Sequence, residues 1–339
     1  MVINPESTKE CYSCYFVENS LILHPYQLFH CCIPVNGKFG STLITEYYGG
    51  PLPVGEIRQS REIYRKGIES EDPNMHCYGC PYRKLERWNT EYLFTNIHFN
   101  HSLLCNLNCK FCVQRSGPVE DKTPRYQAFP VVQTLVSGRL LSPNAYVFWA
   151  GGEPTFLPDF EESLNLMVSY GTTVNEIATN ATILSKAILK GLGPNRRVTL
   201  KTSVDCGTPE TFHRLKGKDL FDKVWENLGA YAATGGSVGA KYIISKDNYQ
   251  KKELDGFIEY AHRFGIRSAY VDIDHNIPAR NVTRLQIAAA AYLYRGLSCI
   301  GIAAHCGVHS SGSMPEFSRL VEAFDVSEYV DCSCAEMVQ

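Results

Sequence analysis

Three cysteines lie close together in the segment 103–117, which is LLCNLNCKFCVQRSG. Cys105, Cys109 and Cys112 have the spacing C-x3-C-x2-C. A loop that folds back on itself brings such thiolates around one inorganic centre, and thiolates suit iron–sulfur clusters or zinc. A [4Fe–4S] cube held by three cysteines keeps one iron open for a substrate or cofactor, whereas a structural site is closed. A zinc site with His98 or His101 as the fourth ligand is the alternative.

The composition is that of a globular protein with a sizeable core. The chain has 339 residues, of which 44% are hydrophobic, and this length favours about two domains. Its net charge of −2 comes without a basic run, which argues against nucleic-acid binding. The N-terminus lacks a signal-peptide pattern, and no apolar run reaches the ~18 residues of a membrane span. We therefore expect a cytoplasmic protein, and in that compartment the clusters among its 14 cysteines indicate metal binding or catalysis.

Strand-like and helix-like segments alternate from about residue 94. This alternation predicts an α/β fold, a parallel sheet with right-handed crossovers. Six units are too few for a complete eight-fold barrel, so we expect a partial (β/α)6 TIM-type barrel with its chemistry at the C-terminal strand ends. The predicted strands are 96–99, 145–150, 174–179, 198–204, 240–245 and 268–273. The predicted domains are a cysteine-rich domain (1–93), the barrel (94–278), and a C-terminal helical extension and tail (279–339).

The cysteine loop resembles that of radical S-adenosylmethionine (SAM) enzymes, whose motif C-x3-C-x-aromatic-C follows the first barrel strand. Phe111 occupies the aromatic position. The resemblance spans roughly residues 95–275 and implies a [4Fe–4S] cluster whose open iron chelates SAM. It further implies reductive cleavage to a 5′-deoxyadenosyl radical, which abstracts hydrogen from a substrate. An external one-electron reductant, such as flavodoxin or ferredoxin, is the implied partner.

The segment 148–156, FWAGGEPTF, agrees with this resemblance. By the family pattern, Gly151, Gly152 and Glu153 bind the amino group of SAM, although an isolated GGEP is only a turn. The end of the third barrel strand carries Asn180, which lines the SAM pocket in the family or else forms a turn or helix cap.

Later strand ends carry further polar candidates. Ser203 and Asp205 are expected to bind the ribose hydroxyls of SAM, and Thr208 and Pro209 read as the start of a helix. Lys241 either points into the barrel toward a carboxylate or extends along the barrel rim. The sixth strand end adds three weaker candidates for substrate contact, Asp272, Asp274 and His275.

The N-terminal cysteines have metal-ligand spacings of their own, in ECYSC (10–14), HCC (30–32) and HCYGCP (76–81). They resemble the auxiliary cluster domains of the SPASM or twitch type, which normally follow the barrel rather than precede it. We expect a second [4Fe–4S] cluster, with zinc as the alternative. The predicted ligands are Cys14, Cys32, Cys77 and Cys80, with Cys11 and Cys31 as substitutes.

Cys206, beside Asp205, is a candidate hydrogen-atom donor, as in radical epimerases, or simply a small buried hydrophobe. Cys299, Cys306, Cys332 and Cys334 remain unassigned. We expect a peptide or protein substrate. The alternative is an epimerase or dehydrogenase acting on a carbohydrate or small molecule, and a different class is a non-catalytic zinc or iron–sulfur protein.

Overall fold

The computed structural model describes residues 11–31, 42–89, 91–112, 126–171, 173–193, 197–274, 281–306 and 321. The predictions for Cys32, His275, Cys332 and Cys334 lie outside these residues. The chain divides into two compact units. The first draws its described residues from 1–104 and 120–176, and the second draws them from 105–119 and 177–339.

The first unit is built on a mixed sheet. Its strand order is β4-β3-β2-β6-β7-β8, in which β2, β6 and β7 run parallel and β3 pairs antiparallel with both β2 and β4. Strands β1 and β5 form a separate antiparallel pair. The elements of this unit are β1 (Cys11–Ser13), α1 (Tyr15–Asn19), β2 (Ser20–Leu23), β3 (Gln27–Phe29), β4 (Leu43–Glu46), α2 (Val54–Glu69), β5 (Lys84–Glu86), β6 (Phe94–Phe99), α3 (Phe129–Ser137), β7 (Leu141–Trp149), α4 (Phe160–Ser169) and the start of β8 (Val174–Ala178).

The predicted boundary at residue 93 is not a boundary of this sheet. Strand β2 pairs with β6 from Ser20 opposite Asn96 to Leu23 opposite Phe99. All four residues of β2 are buried, because the strand lies between two neighbours and its apolar side chains face the core. The N-terminal region thus supplies strands to the sheet that contains the first predicted barrel strand.

The second unit has the predicted alternation of strands and helices. Its strands run parallel in the order β8-β9-β10-β11-β12 wherever pairing is resolved. Strand β12 was missed by the sequence analysis, which placed a tail there. The elements after the end of β8 are α5 (Lys186–Leu192), β9 (Val198–Ser203), α6 (Pro209–Lys216), α7 (Phe221–Ala232), β10 (Ser237–Ile244), α8 (Lys251–Arg263), β11 (Ser268–Ile273), α9 (Arg284–Cys299) and β12 (Ala303–Cys306).

Aromatic side chains fill the core of each unit. In the first, Phe99 stacks on Trp149 with ring centres 4.2 Å apart, and the Trp149 indole N–H donates to Asn175. In the second, Tyr242 of β10 meets Phe257 of α8 edge to face. These contacts fix the strands whose C-terminal ends carry the candidate residues. Among the described helices, none is long and apolar enough to cross a membrane.

Candidate active site

The GGEP turn holds the backbone that leads into the cysteine loop. The amide of Gly152 donates to Ser102 O (2.7 Å), and the amide of Glu153 donates to Leu104 O (2.7 Å). Gly151 has φ +98°, and a Cβ atom on Gly152 would overlap the carbonyl group of Leu104. Both glycines are therefore required for the close approach of two backbone segments. The close approach that these glycines permit is between two segments of the chain itself.

Glu153 presents a buried carboxylate directly after β7. Its side chain is 1% exposed, and Oε1 accepts hydrogen bonds from the Thr155 amide (3.0 Å) and hydroxyl (2.6 Å). This arrangement caps the short 3-10 turn Pro154–Phe156. The carboxylate is thus held in one orientation at the C-terminal end of a parallel strand, the usual position for ligand-binding groups.

The cysteine loop is bonded to the end of β8. Cys105 Sγ accepts from the Leu107 amide (3.4 Å) and from Asn180 Nδ2 (3.7 Å). Asn180 Nδ2 also donates to Asn106 Oδ1 (2.8 Å), while its own Oδ1 accepts from the Thr182 amide. Donors aimed at a sulfur favour the thiolate, which is the form that binds metal. Asn180 therefore orients the loop and its first cysteine.

The C-terminal end of α6 anchors the other side of the loop. The amide of Asn108 donates to Lys216 O (2.8 Å), and the amide of Lys110 donates to Leu215 O (2.9 Å). Helix α6 is capped by the predicted Thr208 at its start and by Gly217, whose φ is +71°, at its end. A Cβ atom on Gly217 would lie 2.8 Å from the Asn108 side chain, so the loop packs closely over this helix end.

The structure does not support the predicted contact of Asp205 with ribose. Asp205 is fully buried, with φ +62°, and both of its carboxylate oxygens have partners. Oδ2 bonds Lys216 Nζ, and Oδ1 accepts from the Ile243 amide (2.8 Å). Because the chain turns inward after β9, the Asp205 carboxylate forms a buried ion pair. Ser203, the last residue of β9, stays half-buried and is the remaining candidate for that contact.

Lys216 was missed by the sequence analysis. The available signal was a lysine beside Phe212 and Leu215 on the buried face of α6, where a cation requires a partner. That signal is weak, because lysines in the last turn of a helix ordinarily stabilise the helix dipole from the surface.

A polar row lies on the face of the sheet that points away from α8. Tyr242 packs against α8, so its neighbour Lys241 points to the opposite face. Lys241 pairs in register with Ser203, and its Nζ lies 3.6 Å from Asp272 Oδ2. The carboxylate next to Lys241 is therefore that of Asp272.

Cys206 is a core thiol. It is fully buried, its Sγ donates to Val204 O (3.4 Å), and burial raises its pKa well above the usual value. A hydrogen donor to a substrate radical needs an accessible sulfur. The role of Cys206 as a hydrogen-atom donor is therefore not supported. The structure favours the alternative, in which Cys206 is a small buried hydrophobic residue.

Four N-terminal cysteines line one small pocket, namely Cys14, Cys31, Cys77 and Cys80. Burial, followed by the neighbouring Cys14 and Cys80, raises the pKa of Cys77 to about 12. Cys31 lines the pocket, whereas the predicted ligand Cys32 lies outside the described residues. The Cys11 thiol donates to Glu69 Oε1 (3.6 Å) and does not line the pocket.

Arg83 lines the same pocket. Its Nε and Nη1 are buried and have no hydrogen-bond partner within the part of the chain that the structure describes, and Nη1 lies 4.0 Å from Glu71 Oε1 in a long ion pair. Its guanidinium also lies 4.7 Å from the centre of the Tyr12 ring. A buried cation with unused donors beside four thiols suits an anionic centre.

The cysteines of the loop and the cysteines of the N-terminal pocket both fit iron–sulfur chemistry, because thiolates are the ligands that such clusters take. Among the described residues, no three His, Cys, Asp or Glu side chains converge as the ligands of one metal ion do. The cysteines of a cube bind different irons and need not converge on one point. Of the histidines in the zinc alternative, His98 bonds Asn96 Oδ1 (3.1 Å) and His101 packs between Phe99 and Tyr126.

Residues 99–266 match the Radical SAM superfamily, and this match covers both the cysteine loop and the GGEP turn. The chain contains a radical SAM domain and belongs to that superfamily. It is therefore an enzyme of this class, for which the family implies a [4Fe–4S] cluster and SAM.

Several known proteins are similar to parts of this chain. The mycofactocin maturase MftC of Mycobacterium tuberculosis is 29% identical over 165 residues, which are 48% of this chain and 40% of the maturase. The GTP 3',8-cyclase of Haemophilus influenzae is 22% identical over 173 residues, 50% of each chain. The chain thus spans about half the length of these relatives or less. SuiB of Streptococcus suis, solved with its precursor peptide SuiA, shares the fold over 76% of this chain and 55% of SuiB (TM-score 0.50, 15% identity).

Proposed function

We propose that this enzyme holds a [4Fe–4S] cluster on Cys105, Cys109 and Cys112 and acts on a peptide or protein. The cluster and SAM, when bound, supply a 5′-deoxyadenosyl radical that abstracts a hydrogen atom from the substrate. The observation that carries the proposal is the doubly anchored loop. Asn180 donates to Cys105 Sγ at one side of it, and the end of α6 binds the backbone of Asn108 and Lys110 at the other.

The remaining residues orient the cofactor and exclude water. The GGEP turn fixes the backbone before Cys105 and presents the Glu153 carboxylate as an acceptor for the amino group of SAM. Ser203 offers a hydroxyl for the ribose. Lys241, beside Asp272 on the sheet face that points away from α8, supplies a cation for a carboxylate of SAM or substrate. Phe111 shields the loop from the side of α6, where its ring contacts Lys216.

The N-terminal pocket is proposed to hold a second [4Fe–4S] cluster on Cys14, Cys31, Cys77 and Cys80. Its support is that these four cysteines line one pocket, together with the Arg83 N–H groups that lack a hydrogen-bond partner among the described residues. Four cysteines close such a site, so this cluster has no open iron for SAM. When bound, such a cluster would supply a one-electron acceptor for the substrate radical, which would give a net oxidation of the substrate.

The peptide substrate is favoured by the relatives with maturase activity. MftC is a maturase by name, and SuiB has been solved with a precursor peptide. The alternative, a carbohydrate or other small molecule, predicts a different origin for the transferred hydrogen.

The transferred hydrogen tests both parts of the proposal. The reconstituted protein is reduced with dithionite in the presence of SAM and a synthetic peptide pool deuterated at Cα and Cβ, and in parallel with a deuterated nucleotide-sugar pool. We expect 5′-deoxyadenosine carrying deuterium from the peptides only, and none from Cys105→Ala. Label from the sugars alone would overturn the peptide substrate, and no 5′-deoxyadenosine from either pool would overturn the reaction. The matched control is Cys299→Ala, which changes an exposed cysteine that belongs neither to the loop nor to the N-terminal pocket.

A further inference from the structure

A buried lysine lies against the cysteine loop and has no role in the chemistry above. Lys216, the last residue of α6, is 2% exposed. Its Nζ bonds the carboxylate of Asp205 and lies 5.1 Å from the centre of the Phe111 ring. Phe111 is the residue directly before Cys112. The pair as a whole is neutral, but its positive end faces the Phe111 ring, and water does not screen the resulting field there.

The ammonium group of Lys216 is held charged. Its Nζ bonds the buried Asp205 carboxylate, whose other oxygen accepts from the Ile243 amide, and this partner stabilises the charged ammonium. The buried pair is therefore an ion pair and not a neutral lysine beside a neutral acid.

The position of this cation relative to the loop is fixed from both sides. Asp205 is held by the Ile243 amide, and its own carbonyl accepts from Asn248 Nδ2 (2.7 Å). On the other side, the carbonyl of Lys216 accepts from the Asn108 amide (2.8 Å). Lys216 thus carries the ammonium group and also binds the loop through its carbonyl. The distance between the ammonium group and the loop is therefore restricted.

We propose that Lys216 is a positioning residue that raises the reduction potential of the cluster on Cys105, Cys109 and Cys112. This inference rests on the proposed function, since it requires that cluster. Reduction adds one electron to the cluster, and the positive end of the Lys216–Asp205 pair, which faces Phe111 in a medium of low dielectric, favours the more negative state. Lys110 lies in the same loop but is exposed and pairs with Asp247, so water and salt screen its charge.

The test is a redox titration of the reconstituted full chain, followed by EPR. The signal that changes on addition of SAM identifies the cluster in question. The informative variant is the neutral pair Lys216→Met with Asp205→Asn, because Asn tolerates the positive φ of this position and avoids an unpaired buried carboxylate. Lys216→Arg retains the charge, and Lys110→Met removes an exposed charge from the same loop.

At a fixed poise, we expect the neutral pair to lower the ratio of reduced to oxidised cluster about tenfold, equivalent to about 59 mV for a one-electron couple. Lys216→Arg and Lys110→Met should stay close to wild type. An unchanged ratio in the neutral pair would overturn the proposal. Loss of the cluster from the neutral pair and from Lys216→Gln with Asp205→Asn, while Lys216→Arg loads normally, would also overturn it in favour of a structural role. Absence of iron from the wild type would instead refute the proposed function.

Discussion

Gly152 packs directly against the carbonyl group of Leu104, the residue that precedes the first cysteine of the loop. The amide next to it, that of Glu153, donates a hydrogen bond to the same carbonyl (2.7 Å). The GGEP turn and the entry to the cysteine loop are therefore one structural feature, although 48 residues separate Leu104 from Gly152 along the chain.

Gly152→Ala should damage both the fold and the iron site. The added methyl group meets backbone atoms of Leu103 and Leu104, which cannot rotate away as a side chain would. We expect a loss of about 1–3 kcal/mol in the free energy of unfolding, measured by urea titration, and less iron per chain. Gly55→Ala in α2 has open space around it and should match or exceed wild type, since alanine favours the helix. Equal stability and iron content in both variants would contradict this account of the turn.

Asn180→Ala should weaken the loop without unfolding the protein. The change removes the donor to Cys105 Sγ and leaves Asn106 Oδ1 without that partner. We expect a loss of about 1 kcal/mol in the free energy of unfolding and faster loss of iron to a chelator. Asn74→Ala, at an exposed asparagine, should change stability by less than about 0.5 kcal/mol. Iron release at the wild-type rate from Asn180→Ala would show that these contacts do not hold the loop.

Stability toward acid should depend on His101. Burial lowers the pKa of this histidine to about 4, below the ordinary 6.5. Between these two pKa values, His101 is protonated in the unfolded chain and neutral in the folded chain. The stability contributed by the neutral histidine is fully present above pH 6.5 and is lost as the pH falls from about 6.5 toward 4.

His101→Phe removes this pH-dependent contribution to the free energy of unfolding. Between pH 7 and pH 5, we expect its free energy of unfolding to fall about 2 kcal/mol less than that of wild type. His262→Gln, at an exposed histidine of α8, should follow the wild-type curve. Parallel curves for His101→Phe and wild type, measured by urea titration at each pH, would mean that His101 takes up its proton in the folded state.

Cys77→Ala should remove one of two clusters. We expect iron to fall from about eight to about four per chain, while SAM cleavage continues at the separate loop. Product formation should stop if this cluster accepts the substrate electron. Cys80→Ser provides a second variant of the same pocket, and Cys11→Ala, whose thiol bonds Glu69, should keep the wild-type iron content. Unchanged iron in both pocket variants would refute the second cluster.

The sequence was sufficient for the features that follow regular periodicity or fixed spacing. All six predicted barrel strands are present, because each has β-favouring residues at regularly spaced buried positions. Strand β2 escaped notice because it has only four residues, and β12 because AAHC lacks such a run. Such short strands are specified by the neighbours they pair with and not by local propensity.

The candidate site was only partly predictable for a related reason. The cysteine motif fixed the loop, but its supports come from distant positions along the chain, such as Lys216 and Asn180. Asp205 stood at the expected strand end, yet its positive φ turns the carboxylate inward to a lysine 11 residues later. Which face a residue presents after a strand ends is decided by packing, which the one-dimensional pattern does not contain.

The most direct test of the central claim is the iron and sulfide content per chain, together with dithionite-driven release of 5′-deoxyadenosine from SAM. Both are measured anaerobically for wild type and for Cys105→Ala/Cys109→Ala/Cys112→Ala. The account predicts about eight irons in wild type, about four in the triple variant, and loss of 5′-deoxyadenosine from the variant alone. Zinc in place of iron, or no 5′-deoxyadenosine from the wild type, would contradict it.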